Sequence, residues 1–202
     1  STALVRDCWE QENARFADLS ASRGQESASL LMQRMQAIMT EKVGIVRNGE
    51  ALTAAVDELK TLLLRSRQLG LRSSAAGANP ELTTAWRLQK MLKLSLCVAF
   101  GALKRTESRG AHFREDFPRR DDAQWLKRTL AYWRDPEQRV PSLEYEGMDV
   151  RRMELPPGWR GYGARDAIEH PQTEIRQAEI ERLRAPLGDD ADRHAIQAAL
   201  LP

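Results

Sequence analysis

The groups best able to do chemistry in this 202-residue sequence crowd into residues 105–122, RTESRGAHFREDFPRRDD. The segment offers a histidine, His112, a hydroxyl, Ser108, and arginines and carboxylates alternating so closely that their charges nearly cancel. His112 is the obvious titratable candidate, but the sequence around it supplies neither a nucleophile nor a metal partner for it. His112 therefore reads as a structural imidazole ahead of a catalytic one. Dense alternation of charge suits an internal ion-pair network, because arginine forks matched to carboxylates gain most when partly desolvated. A solvated charged loop is the competing reading, since each exposed pair contributes only ~0–1 kcal/mol. Arg105, Glu107, Ser108, Arg109, His112 and Arg114, followed by Arg119, Arg120, Asp121 and Asp122, are the candidate contact residues.

Other chemistries find no motif. The sequence contains no GxGxxG, no GxxxxGK[ST], no HExxH, no paired CxxC and no GxSxG. Gly161-Tyr162-Gly163 is a GxG without a following helix, which shapes a loop more readily than it cradles phosphate. Cys8 and Cys97 make no disulfide framework and, with three histidines, fit no metal-ligand spacing. A reducing compartment follows from this cysteine usage.

The elements that must position the charged segment are mostly helices. Leu31, Met35, Ile38, Met39, Val43 and Val46 form one apolar stripe at helical spacing, and Leu52, Val56, Leu59, Leu62, Leu63 and Leu69 a second. The spacing predicts antiparallel helices over 24–47 and 50–69, with Asn48-Gly49 supplying a reversal of positive φ. Residues 70–78 read as a loose loop. Asn79-Pro80-Glu81 then opens a third helix, with Asn as N-cap, Pro at the first position and Glu in the first turn. Its stripe is Ala85, Leu88, Leu92, Leu96, Ala99 and Leu103, and from Met91 to Leu103 nearly every face is apolar, which predicts burial on several sides. Gly110 is expected to close this helix, placing Glu107, Ser108 and Arg109 in its last turn. Residues 1–19 add a weaker lead-in helix with Leu4, Cys8 and Leu19.

Beyond residue 110 the pattern changes, dividing the chain into a helical bundle over 1–110 and an extended region over 111–202. WLKRTLAYW at 125–133 and residues 140–145 read as strand, turn and strand, a β-hairpin at about 125–145. A short helix over 125–133 is the alternative. Residues 148–164 carry Pro156-Pro157-Gly158 and should be irregular, and 172–184 and 190–201 read as short polar tail helices. The fold class is mainly α: three main helices, a small hairpin and a helical tail.

Composition excludes several functions. The 31 Lys+Arg against 29 Asp+Glu leave a net charge of +2, too small for a nucleic-acid module. Only six of the cations are lysine, leaving 25 arginines, the side chain of planar and interfacial pairing. The most apolar stretch, 94–103, is closed by Lys93 and Lys104 and is far short of the ~20 residues a membrane-spanning helix needs. No signal-peptide pattern opens the chain, which starts at Ser1 within a helical pattern and is expected to be a piece of a longer protein.

The run Arg105-Thr106-Glu107-Ser108-Arg109-Gly110-Ala111-His112, with Arg114, Asp116-Phe117-Pro118, Arg120-Asp121-Asp122 and Trp125-Leu126, resembles one flavoprotein group. It is similar to the C-terminal region of the succinate dehydrogenase/fumarate reductase flavoprotein subunit, shared with L-aspartate oxidase. The likeness extends through Met39, Val43-Gly44-Ile45-Val46-Arg47, Leu143-Glu144-Tyr145 and Arg160-Gly161-Tyr162-Gly163-Ala164. Asp192-Arg193-His194-Ala195-Ile196-Gln197-Ala198-Ala199-Leu200 also resembles the long tail of some quinol:fumarate reductases.

This resemblance implies a spectrin-repeat-like three-helix bundle followed by a small extended part. It implies a complete subunit that carries covalent FAD and interconverts fumarate and succinate. It also implies an iron–sulfur subunit and, indirectly, a membrane quinone-reactive anchor as partners, at the inner face of the cytoplasmic membrane. The family's dinucleotide-binding unit, flavin-linking histidine and proton-donating arginine match no position here. The chain is therefore expected to hold no catalytic, cofactor or metal residue, and to pack on the FAD-binding and capping domains of its own subunit. L-aspartate oxidase and a free-standing helical adaptor are the alternatives.

Overall fold

The computed structural model describes residues 2–73, 78–135, 137–148 and 173–187. Six helices occur among these: α1 (Thr2–Ala21), α2 (Ala28–Lys42), α3 (Gly49–Arg65), α4 (Pro80–Lys104), α5 (Asp122–Trp125) and α6 (Thr173–Arg184). Strands Lys127–Tyr132 and Ser142–Gly147 pair as a two-stranded sheet. By contact the chain divides into Ser1–Lys104 with Ala131–Leu143, and Arg105–Leu130 with Glu144–Pro202.

The first unit is built around α2, α3 and α4. Their inward positions Leu31, Ile38, Leu52, Leu59, Leu88, Leu92 and Leu96 are all essentially inaccessible to water, as their helical spacing predicts. Removing that apolar surface from water is the main stabilising force of this unit, at ~25 cal/mol per Å². Side-chain oxygens start the helices. Asn48 Oδ1 accepts from Ala51 N at 2.8 Å, and Asn79 Oδ1 from Leu82 N at 3.1 Å, each satisfying an amide that lacks a helical partner.

Several details depart from the sequence pattern. The reversal before α3 needs no left-handed residue: Asn48 is extended, at φ −142, and Gly49 already belongs to the helix. The first stripe ends with buried Val43, and Val46 is exposed because α2 stops at Lys42. Likewise α3 stops at Arg65, so Leu69 is buried by a following segment and not by its helix. In α1, Leu4 and Cys8 face water and Leu19 packs against the core.

Residues 69–71 are not loose. Gly24 N donates to Leu69 O at 3.2 Å and Gly70 N to Glu26 O at 3.0 Å, tying the segment before α2 to the one after α3. A Cβ on Gly70 would lie 1.8 Å from Gly24 O, so only glycine permits this crossing.

Helix α4 is less enclosed than its composition predicts. Met91, Leu94 and Val98 are 38%, 65% and 44% exposed, so one apolar face remains open among the described residues. It also ends at Lys104, before residues 107–109. Gly110 does take positive φ, at 59°, but within a tight turn. Arg109 N donates to His112 O at 2.8 Å, and His112 N to Arg109 O at 3.0 Å.

The hairpin forms with a shift. Trp125 lies in the single turn of α5, excluding both a strand beginning there and a helix over 125–133, and the second strand runs two residues beyond Tyr145. Helix α6 falls within a residue of the first predicted tail helix. The second predicted tail helix, Arg160 to Ala164 and the irregular stretch after Met148 lie outside the described residues.

Candidate functional site

Residues 105–122 fold around one carboxylate. Glu107 is fully buried, and four donors converge on it. Arg105 donates to Oε1, Arg109 donates through Nε to Oε1 at 2.8 Å and through Nη2 to Oε2 at 2.9 Å, and Asp121 N donates to Oε2 at 2.9 Å. A buried carboxylate lacking such partners would cost several kcal/mol.

Each arginine that reaches Glu107 also ties in something else. Arg109 Nη2 donates to Asp122 Oδ1 at 2.5 Å, and Arg120 Nε holds the other oxygen, Oδ2, at 3.0 Å. Arg105 spans the start of the hairpin, donating to Trp125 O at 3.0 Å and Lys127 O at 2.5 Å. Its guanidinium lies 5.0 Å from the Trp125 ring centre. Trp125 Nε1 in turn donates to Thr106 Oγ1 at 3.0 Å.

Arg114 is buried and grips Asp116 with two parallel 2.7 Å bonds, while its Nη1 donates to Arg105 O at 3.2 Å. Bidentate pairs of this kind fix geometry as well as charge. Burial alone would depress the Arg109 pKa, but its hydrogen bonds to Glu107 and Asp122 outweigh this and hold it above the ordinary arginine range.

Ser108 and His112 do not form a nucleophile–base pair. Ser108 Oγ accepts from Arg114 N at 2.9 Å and donates to Phe117 O at 2.8 Å, so its hydroxyl is committed to the backbone. His112 Nε2 lies 3.3 Å from Arg105 O, a contact that requires the proton on Nε2. Asp121 caps α5 through Gln124 N at 3.0 Å. Arg119 is exposed and contributes its carbonyl, which accepts from Ser108 N at 3.0 Å. Among the described residues no group of His, Cys, Asp or Glu could hold a metal ion.

The predicted residues therefore come together, with two additions. Asp116 and Thr106 complete the network, and both stand in the charged run or beside it. The backbone acceptors Trp125 O, Lys127 O and Phe117 O carry no sequence signal.

Residues 32–162 match the family model described as fumarate reductase flavoprotein C-term. That match covers more than half of the chain and the whole network.

The chain belongs to the fumarate reductase/succinate dehydrogenase flavoprotein family.

It is 46% identical over 183 residues to the fumarate reductase flavoprotein subunit of Helicobacter pylori, covering 90% of this chain and 26% of that protein. It is 31% identical over 150 residues to the Bacillus subtilis succinate dehydrogenase flavoprotein subunit, covering 74% and 25%. Among solved structures, the FrdA chain of Escherichia coli quinol fumarate reductase superposes with a TM-score of 0.70 at 31% identity, covering 78% of this chain and 27% of that one. The chain thus spans about a quarter of the length of these relatives and corresponds to the family's C-terminal region. Fumarate reductase and succinate dehydrogenase flavoproteins are the relatives that carry this match, and the L-aspartate oxidase alternative gains no support from them. No described helix is long and apolar enough to cross a membrane.

Proposed function

We propose that this chain is the packing and interaction domain of a flavoprotein subunit whose complete form interconverts fumarate and succinate. In that reading residues 105–122 brace the domain against the FAD-binding and capping domains and offer part of the surface met by an iron–sulfur subunit. Electrons would pass between that partner and a membrane quinone-reactive anchor, with the assembly at the inner face of the cytoplasmic membrane.

One observation carries the proposal: Glu107 is enclosed by donors of its own segment, and Ser108 is committed to backbone partners. Groups held this way stiffen a surface, and the serine proton and most of their acceptor capacity are already committed within the segment. The open apolar face of α4 at Met91, Leu94 and Val98 adds a second surface suited to packing.

The complete subunit's FAD does not fit the described residues. They contain no parallel strand, glycine-rich turn and helix of the dinucleotide-binding kind, so no residue here is assigned to the flavin. The chain alone is expected to be inactive. Purified on its own, it should show no flavin absorbance band and no fumarate-dependent oxidation of a reduced dye above blank. Either signal from this chain would contradict the reading.

A further inference from the structure

Helix α1 meets the bundle along only part of its length. Leu19 and Ala85 line one small cleft, Arg15 Nη2 donates to Gln89 Oε1 at 2.9 Å, and Lys90 Nζ donates to Glu12 Oε2 at 3.0 Å. Residue number falls along α1 as it rises along α4, so the two helices run antiparallel. Leu4, Val5 and Trp9 therefore stand at the same end of the pair as Met91, Leu94 and Val98. They are 69%, 68% and 67% exposed, and none of the described residues of α1 is buried. We infer that these two open stripes pair between two copies of this chain, α1 of each copy lying on α4 of the other. The inference concerns α1 and α4 and does not rest on the role proposed for residues 105–122.

Spacing shows that the stripes are built as packing faces. Leu4, Val5 and Cys8 recur with Glu12, Arg15 and Leu19 at the three- and four-residue intervals of one helical face. That face closes on α4 from Glu12 onward and is open before it. Met91, Leu94 and Val98 follow the same intervals on α4 and are also open.

Charge and area both fit a second copy. On α1, Asp7, Glu10, Glu12 and Asp18 outnumber Arg6 and Arg15, while on α4, Arg87, Lys90, Lys93 and Lys104 stand against Glu81 alone. Opposite net charge brings α1 onto α4 and disfavours α1 on α1. The pair between Lys90 and Glu12 need not break, because the apolar side chains supply the surface to be covered. At roughly 150 Å² for a large side chain, six open to this degree expose on the order of 500 Å² of apolar surface. A standard interface takes about 800 Å² from each partner, roughly 65% of it apolar between identical subunits, so the stripes supply what a dimer needs. Because each copy carries both stripes, a single two-fold axis makes both contacts at once and closes the pair.

The test follows the mass of the chain in solution by light scattering and sedimentation, from dilute samples up to the millimolar range. A monomer–dimer equilibrium is expected. Trp9→Glu and Leu94→Glu should each weaken it at least about tenfold, while Ile45→Glu should change it less than about twofold. Ile45 is 77% exposed and lies outside both helices. An equimolar mixture of the Trp9→Glu and Leu94→Glu chains should dimerise better than either alone, because a mixed pair keeps one undamaged contact of α1 on α4. Unfolding of each variant at dilution, where the chain is monomeric, should match the wild type, which separates lost pairing from lost fold. Where either variant folds poorly, Val5→Glu and Val98→Glu carry the same test. The inference is overturned if the wild type stays monomeric throughout, if it grows into open chains, or if Ile45→Glu weakens pairing as much as Trp9→Glu. A mixture that dimerises no better than its components also overturns it, since α1 would then not be meeting α4.

Discussion

The helical bundle and the charged segment after it are stabilised in opposite ways. In α2, α3 and α4 the inaccessible side chains are overwhelmingly aliphatic, with Leu52, Leu59, Leu88, Leu92 and Leu96 among them. In residues 105–122 the most buried groups are Glu107, Ser108, Arg114 and Asp122. The bundle tolerates small shifts, because dispersion and burial are non-directional. The charged segment does not, because each buried charge needs particular partners at particular angles. A region of the second kind is well suited to presenting a fixed surface.

The sharpest way to break this contrast is to remove the central carboxylate. Glu107→Ala removes the buried acceptor shared by Arg105, Arg109 and Asp121 N and should lower stability by about 3–5 kcal/mol in denaturant unfolding. A loss below about 1 kcal/mol would make the network a solvated loop in effect.

Inside the bundle, Leu96→Ala should cost about 2–5 kcal/mol through lost burial and a residual cavity. Leu94→Ala, two positions away on the same helix, should stay within about 0.5 kcal/mol, because Leu94 is exposed in this chain. Equal effects at the two positions would mean that α4 is enclosed all round.

Weaker still should be the surface pairs. Arg128 Nε sits 2.9 Å from Glu146 Oε2 on the hairpin, with both side chains at least half exposed. Arg128→Ala should cost no more than about 1 kcal/mol. Acid titration isolates the pair of this kind that links α2 and α3. The hydrogen bond from Lys42, then that from Arg34, hold the Glu58 carboxyl below its usual range. A depressed carboxyl pKa stabilises the fold above the unfolded-state value, and the gain is lost as pH falls through the folded-state value. Glu58→Gln should therefore lower stability slightly at neutral pH and leave strongly acidic pH nearly unchanged, flattening the acid side of the stability curve.

How much of this the sequence discloses follows the same division. The aliphatic core was legible because periodicity alone marks Leu31, Leu52, Leu59, Leu88 and Leu96 as inward positions. Periodicity cannot say which of several apolar faces finds a partner, and so the composition of α4 implies more enclosure than its exposed Met91, Leu94 and Val98 have. Gly110 was legible as a positive-φ residue, yet a helix cap and a tight turn demand the same conformation, and the turn formed. The contact of Gly24 with Gly70 depends on pairing two segments distant in sequence, which local pattern does not contain. In the charged segment the residue types were legible and their partners were not. Arg105 ends on the carbonyls of Trp125 and Lys127, and a carbonyl leaves no mark in a sequence.

Arg109 offers the most direct test of the claim that this segment positions surfaces and performs no chemistry. The measurement is made on the complete subunit carrying Arg109→Ala, scoring flavin occupancy, assembly with the iron–sulfur subunit and turnover of the assembled fraction. Losing the bridge between Glu107 and Asp122 should lower occupancy and assembly, while the assembled, flavin-loaded fraction turns over fumarate at a near-normal rate. Intact assembly with turnover reduced by several orders of magnitude would contradict the account and make the segment catalytic.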